Sequence, residues 1–519
     1  MKIDRRNLIA AGLFGSMSAA LAPARVGAAE PPHRLIFGPR RDFSFAWLVK
    51  HAKSLAASSY VETPPSSPDI VRSLDFAVSQ KITFRPESTL WGNGSGYPVR
   101  FFHLTRYADQ PVKIHAVNGG SAREISYSPQ YFDFGGTGLE KKLPADLGFS
   151  GFRVMNGHGV ESDWLAFQGA SYFRASGQQD QYGISARGIA IDTALSTKEE
   201  FPRFTQFWLN QTPNGMEIFA LLDSPSLAGA YRFEAQKDDG VTTAVHAELF
   251  VRADIARLGV APLTSMYWYS ESNYSERADW RPAVHDSDGL ALWTGAGERI
   301  WRPLADPPSV QTNSFLDKNP KGFGLLQRDR NFDDYQDDGA FYNRRPSVWV
   351  ETIGAWGEGA VQLVEIPTND ETQDNVVAYW QPQAPVQAGD KLHFEYKLYW
   401  QDAEPGVQGL LGRAVATRIG RGGVPGLSHP KGLHKFVIDF EGGPLASLQQ
   451  RFDVTPVITL SRGKPQNAYV IKVVGTSRWR AFFDVSLSDT APLDLRCYLR
   501  LGNKTLTETW LYQFFPPGA

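Results

Sequence analysis

Short apolar or alternating runs, broken every few residues by Gly, Pro, Asn or Asp, recur along nearly the whole chain. They restrict its fold more than any other feature. Residues 99–104, 112–117, 245–251 and 348–352 are examples. Period-two alternation puts one side of a strand on a core and the other towards water, and the breakers keep each strand short. The pattern fits a large antiparallel β-sandwich, so the expected fold class is all-β. One exception is residues 42–59, where Phe45, Leu48, Ala52 and Leu55 recur near helical spacing and predict a short amphipathic helix.

A second break organises the chain. Residues 392–400 read as an alternating strand, and the segment after them carries Pro405, Gly406 and Gly409 with little apolar content. We read a linker over 401–411. Beyond it, runs at 435–440, 457–460, 468–474, 479–485, 493–501 and 506–515 predict a small immunoglobulin-like sandwich over 412–519. The Cys-Trp-Cys signature of antibody domains is absent, so that likeness is one of architecture.

The N-terminus reads as an export signal. Arg5-Arg6 precedes a mildly apolar stretch over residues 8–23, and Val26-Gly27-Ala28 offers the small residues a signal peptidase accepts. Residues 1–28 are therefore expected to be a twin-arginine signal peptide, which carries folded cargo to the periplasm. The large domain then spans 29–400. No later run is apolar enough to span a bilayer. The net charge is −2, which gives no reason to invoke nucleic acid or an anionic membrane. Cys497 is the only cysteine, so no intramolecular disulfide is possible and stability must come from core burial. Aromatic residues make up 13% of the chain, 14 of them Trp, and can serve either β-sheet cores or stacking surfaces for sugar rings.

Several chemistries lack their motifs. There is no His-Glu-x-x-His, no clustered Cys/His ligand set and no phosphate loop, so no metal or cofactor is expected. Residues 147–151 fall one residue short of a nucleophile elbow. The acidic run over 333–339 fails as a calcium loop, with Tyr335 at the third position and Arg344 where a bidentate Glu is needed. It reads as a solvated loop near Arg344 and Arg345.

Two clusters could carry acid–base work. Residues 360–366 and 375–380 read as strands, and the loop between them holds Asp370, Glu371 and Asp374. Crowded carboxylates raise the pKa of at least one member, as a general acid requires. The second cluster is His285-Asp286-Ser287-Asp288, flanked by Trp280 and Trp293, with Tyr267, Trp268 and Tyr269 upstream. Two loop-borne acids beside aromatics meet the needs of glycoside hydrolysis, in which one carboxyl protonates the leaving oxygen and another activates water. Each feature also has a plain structural reading: a solvated turn, a hydrogen-bonding His285, core packing for the aromatics, and core or rim for Tyr342.

These segments carry a resemblance. Asp146-Leu147-Gly148-Phe149-Ser150-Gly151-Phe152-Arg153, Gln181-Tyr182-Gly183-Ile184-Ser185-Ala186-Arg187-Gly188, Val284-His285-Asp286-Ser287-Asp288 and Thr507-Glu508-Thr509-Trp510-Leu511-Tyr512-Gln513 mark it. Shorter matches fall at 169–174, 191–193, 198–202, 319–324 and 345–347. From about residue 40 to its C-terminus the chain resembles the osmoregulated periplasmic glucan biosynthesis proteins of the G/D family. The resemblance implies a large mutarotase-like β-sandwich followed by a small immunoglobulin-like one. It also implies a substrate, the β-1,2-linked glucose backbone of periplasmic glucans, and for some members an inverting endo-β-1,2-glucanase activity. By position, Asp374 matches the general acid and Asp286 a base that acts through relayed water. Glu371 and Tyr342 match residues lining that site, and we add His285 and Trp268 as candidate substrate contacts. Inversion expects the two carboxyls about 6.5–9.5 Å apart, or further with a relay. One departure is a short Gly-rich loop over 421–432, where hydrolases of the family carry a longer one. Transfer of glucan chains, or binding without catalysis, are the competing readings.

Overall fold

The computed structural model describes residues 34–516 except 63, 65–66, 95, 274–278, 407–408, 425 and 428. The expected signal peptide over 1–28 lies outside the described residues, as do Pro425 and Ser428 of the 421–432 loop. The fold is all-β, with few and short helices. The chain divides into two compact units. Unit 1 comprises residues up to Thr264 with 352–359 and 379–401; unit 2 comprises 265–351, 360–378 and 402–519.

Unit 1 is two sheets closed on an aromatic core. In one, Arg203–Thr212, Gly215–Asp223, Leu227–Asp238, Gly240–Val251 and Lys391–Gln401 run antiparallel in that order. In the other, Val99–His103, Phe149–Met155, Asp163–Gln168 and Tyr172–Ala175 are neighbours. Alternation sends every second ring inward, and the rings of the two sheets meet. Phe167 touches Phe207 at 5.6 Å between centroids and Phe233 at 5.2 Å, and Phe173 touches Phe233 at 5.1 Å. The outer face of the first sheet carries the helix Phe45–Ala56. Ser44 caps it by accepting from Trp47 N at 3.1 Å, and Leu48 and Ala52 lie buried against Trp208, Phe219, Leu221 and Ala230. The helix predicted over 42–59 is thus present, trimmed at both ends.

Unit 2 is built on a sheet that includes Gly289–Trp293, Arg299–Pro303, Gly322–Leu326 and Ser347–Ile353. The C-terminal strand Thr509–Phe514 joins it in parallel, with Ile300 beside Thr509 and Trp301 beside Trp510. Leu493–Leu501 and Val454–Leu460 continue from there. A further sheet runs Arg413–Arg421, Leu433–Glu441, Trp479–Ser486, Gln466–Lys472. The two C-terminal sheets face one another through Phe436 and Phe514, with centroids 5.3 Å apart. The chain leaves unit 1 after Gln401, within the linker expected over 401–411. Residues 402–519 are then grouped with 265–351 and 360–378 instead of standing by themselves.

Candidate functional site

The site is assembled in unit 2 from three segments far apart in sequence. The first is a two-stranded ribbon, Tyr267–Tyr269 with Val284–His285, in which Tyr267 lies opposite His285. Asp286 follows the ribbon, and its backbone N donates to Met266 O at 2.8 Å. The second is the short helical turn Tyr342–Arg344, with Arg345 after it. The third is the loop over 367–374, which connects Glu358–Glu365 to Val376–Pro382.

Asp286 is 4% exposed and forms an ion pair with Arg345. Burial disfavours the Arg345 charge, but Asp286, Tyr342 and Glu371 together outweigh it and raise the pKa. The Arg345 guanidinium also lies over the Tyr342 ring, 4.3 Å from its centroid. Tyr342 is buried, and its hydroxyl donates to Glu371 Oε2 at 2.5 Å. Burial pushes the phenol pKa up, so the hydroxyl stays protonated and acts as a donor. Arg281 Nη1 donates to the same Glu371 oxygen at 2.7 Å and to Asp337 Oδ2 at 2.8 Å. Arg281 also binds Asp279 through Nε at 2.9 Å and Nη2 at 3.1 Å. That bond holds the Asp279 carboxyl at about 2. Burial favours protonation of Asp337, yet Ala340 N, Arg281 and Gly339 N together lower its pKa.

The loop carrying Asp374 is pinned at its base. Asn375 is buried; its Nδ2 donates to Tyr267 O at 2.8 Å and Ile366 O at 2.9 Å, and its Oδ1 accepts from Tyr267 N at 2.8 Å. Two routes therefore connect Asp286 to the Asp374 loop. One runs through Arg345, Tyr342 and Glu371. The other runs from His285 across the ribbon to Tyr267 and Asn375. Two carboxylates of this loop have separate partners. Asp370 accepts from Thr372 N at 2.7 Å and Thr372 Oγ1 at 2.5 Å, closing its own turn, while Glu371 is taken by Tyr342 and Arg281. Asp374 is half-buried and immediately precedes the anchoring Asn375.

His285 is buried inside the wall of the site. Its Nδ1 donates to Gln327 Oε1 at 2.9 Å, and its ring sits between Tyr267 and Tyr335. Burial pushes its pKa down to about 4, partly opposed by Gln327, so the ring is neutral near pH 7. Gln327 Nε2 also donates to His285 O and Tyr342 O, each at 3.0 Å. One amide thus ties the ribbon to the Tyr342 turn. Tyr267 and Tyr269 are core residues at 1% and 0% exposure, whereas Trp268 is half-buried. The run over 333–339, expected to be solvated, is split. Asp333 and Asp334 are exposed, but Tyr335 is fully buried and Asp337 is 9% exposed on Arg281. Arg281, a buried guanidinium, holds Asp337, while Tyr335 packs with Met266, Tyr269, Val284 and Tyr342.

Arg281, Gln327, Arg345 and Asp337 are site residues that the sequence did not announce. Arg345 stood only as a neighbour of the acidic run and within the matched stretch 345–347, and Asp337 only as a member of that run. Gln327 carries no local signal. Among the described residues, the one group of His, Asp and Glu spaced to share a cation lies in unit 1.

The family described as "Periplasmic glucan biosynthesis protein, MdoG" matches residues 43–514. Glucans biosynthesis protein D 2 of Ralstonia nicotianae is 46% identical over 534 residues, covering 99% of this chain and 98% of that protein. Glucans biosynthesis protein D of Xanthomonas oryzae pv. oryzae is 45% identical over 530 residues, covering 100% of this chain and 99% of its own. A solved chondroitinase AC lyase aligns at 9% identity and a TM-score of 0.22, over 67% of this chain and 51% of that one, too low to carry an argument. The matched span takes in every segment of the site, and the chain belongs to the MdoG family of periplasmic glucan biosynthesis proteins.

Proposed function

We propose that this protein acts in the periplasm on the β-1,2-linked backbone of glucans, as an inverting endo-β-1,2-glucanase. Asp374 donates its proton to the glycosidic oxygen as the C1–O bond breaks. Water attacks C1 from the opposite face and loses its proton towards Asp286. The observation that carries the reading is the unbroken path Asp286–Arg345–Tyr342–Glu371, which ends on the loop bearing Asp374. Burial of Asp286 and its ion pair with Arg345 fit a base that is reached through intervening water. Arg281 and Tyr342 fix Glu371 at the wall, and Trp268 offers a half-buried ring to a sugar face.

The same burial favours a second reading, in which a sugar hydroxyl replaces water and the glucan chain is transferred. Incubating the purified protein with linear β-1,2-glucan separates the readings. Shorter products that disappear with Asp374→Asn support hydrolysis. Longer or cyclised products support transfer, and binding with no change of length supports a carrier role. Carboxyls of Asp286 and Asp374 about 5 Å apart in a glucan complex would rule out inversion.

A further inference from the structure

On the outer face of unit 1, two neighbouring strands set a checkerboard of imidazoles and carboxylates. Gly240–Val251 and Lys391–Gln401 are antiparallel, and their register puts His246 opposite Glu395 and Glu248 opposite His393. Because residues two apart share a face, all four side chains project from the same side of the sheet. The two rings meet edge to face at 4.7 Å. Glu395 Oε1 lies 2.8 Å from His246 Nδ1 and 3.9 Å from His393 Nε2. Glu248 Oε1 lies 3.1 Å from His393 Nδ1 and 3.4 Å from His246 Nε2.

We propose that His246, His393 and Glu395, with Glu248 as an adjoining fourth donor, form a binding site for a divalent transition cation of the zinc class. One ligand atom from each of the first three lies within 4.8 Å of the others. Tetrahedral zinc with bonds of about 2.0–2.1 Å holds its ligands roughly 3.4 Å apart, a closure that side-chain torsions supply. Two imidazoles and one or two carboxylates suit zinc, nickel or copper, and they do not suit calcium or magnesium, which take oxygen ligands. The position favours capture. The His246, Glu395 and His393 side chains are 31%, 41% and 48% exposed, so a cation reaches them from solvent. Phe45, the first residue of the covering helix, sets its ring edge on to His246 at 5.2 Å and restrains that imidazole.

The neighbouring charges define the competition. Lys391 Nζ lies 3.0 Å from Glu248 Oε2 and already partly neutralises it. Arg232, opposite His246 on the other side, is engaged by Glu217 and Glu234. A bound cation would tie together two strands whose ligands, at 246 and 393, are distant in sequence. This site is independent of the glucan chemistry proposed for unit 2.

The simpler alternative is a pair of cross-strand His–Glu contacts with no ion. Calorimetric titration of Zn2+ into the chelator-stripped, tag-free chain decides between them. One equivalent is expected, with at least a tenfold loss of affinity in His246→Ala/His393→Ala and in Glu395→Ala. Lys391→Ala should bind Zn2+ more tightly, because the competing ammonium is gone. Circular dichroism confirms that the variants stay folded, and Co2+ in place of Zn2+ should develop visible d–d absorption that the double variant lacks. No uptake by the wild-type chain, equal uptake by the double variant, or equal binding of Ca2+ would each overturn the proposal.

Discussion

Arg345 carries two loads: it neutralises the buried Asp286, and its guanidinium lies on the Tyr342 ring. Removing one member of a buried pair strands the other, at about 3–5 kcal/mol. Arg345→Met should therefore lower the unfolding free energy by about that amount, and adding Asp286→Asn should recover much of it; urea titrations of the three variants check this. His285 gives a pH signature. Its pKa is depressed from an ordinary 6.5 to about 4, so its contribution to stability is present above 6.5 and is lost as pH falls through 4. Urea midpoints from pH 7 to pH 4 should fall more steeply for the wild type than for His285→Gln, by up to about 3 kcal/mol at the acid end. At this scale the sequence was partly legible. His285 and Asp286 stood out because a polar run lay between tryptophans. The Asp286–Arg345 pair bridges 59 residues of chain and leaves no local trace, and neither does the Gln327 clasp.

Loops and strands obey different rules of legibility. Half-buried strands alternate, so 392–400 was found as Lys391–Gln401 and 479–485 as Trp479–Ser486. The helices Pro68–Ser73 and Phe76–Ser79 were missed, because fewer than two turns give no period to detect. The run expected over 506–515 is a strand only over Thr509–Phe514, and a separate short strand, Lys504–Thr505, precedes it. The loop over 367–374 was correctly placed between two strands, but its anchor was not foreseen, since an Asn at a strand start reads as a turn residue. Asn375→Ala would leave the N–H and C=O of Tyr267 and the Ile366 carbonyl without this partner, at about 1–3 kcal/mol for each buried group left unsatisfied. On the proposed function, the freed loop misplaces Asp374. Turnover on linear β-1,2-glucan should then drop by at least about tenfold while substrate affinity changes little, a split that steady-state kinetics resolves.

On the scale of the molecule, the break near 401 was visible in composition, while the partners of the segment beyond it were not. Parallel pairing of Arg299–Pro303 with Thr509–Phe514 cannot be read from either strand alone. Buried charges reinforce it: Arg328 Nη1 donates to Glu508 Oε1 at 2.6 Å and Nη2 to Glu404 Oε1 at 3.3 Å, above the Trp301 ring. A chain ending at residue 411 would keep Glu404 but deprive that guanidinium of Glu508, and would bare one edge of Arg299–Pro303. It should therefore aggregate or show non-cooperative melting, as light scattering and calorimetry would report, whereas the chain to 519 melts cooperatively. The pairing also sets a clock. At about 5–20 residues per second, roughly 10–40 s of synthesis separate Pro303 from Phe514. Throughout that interval the strand that carries Trp301 has emerged and its neighbour does not yet exist. The sheet they share is completed only once Thr509–Phe514 has been made, so a chain terminated after Asp374 and before Thr509 carries Asp286 and Asp374 with Arg299–Pro303 still lacking its parallel partner.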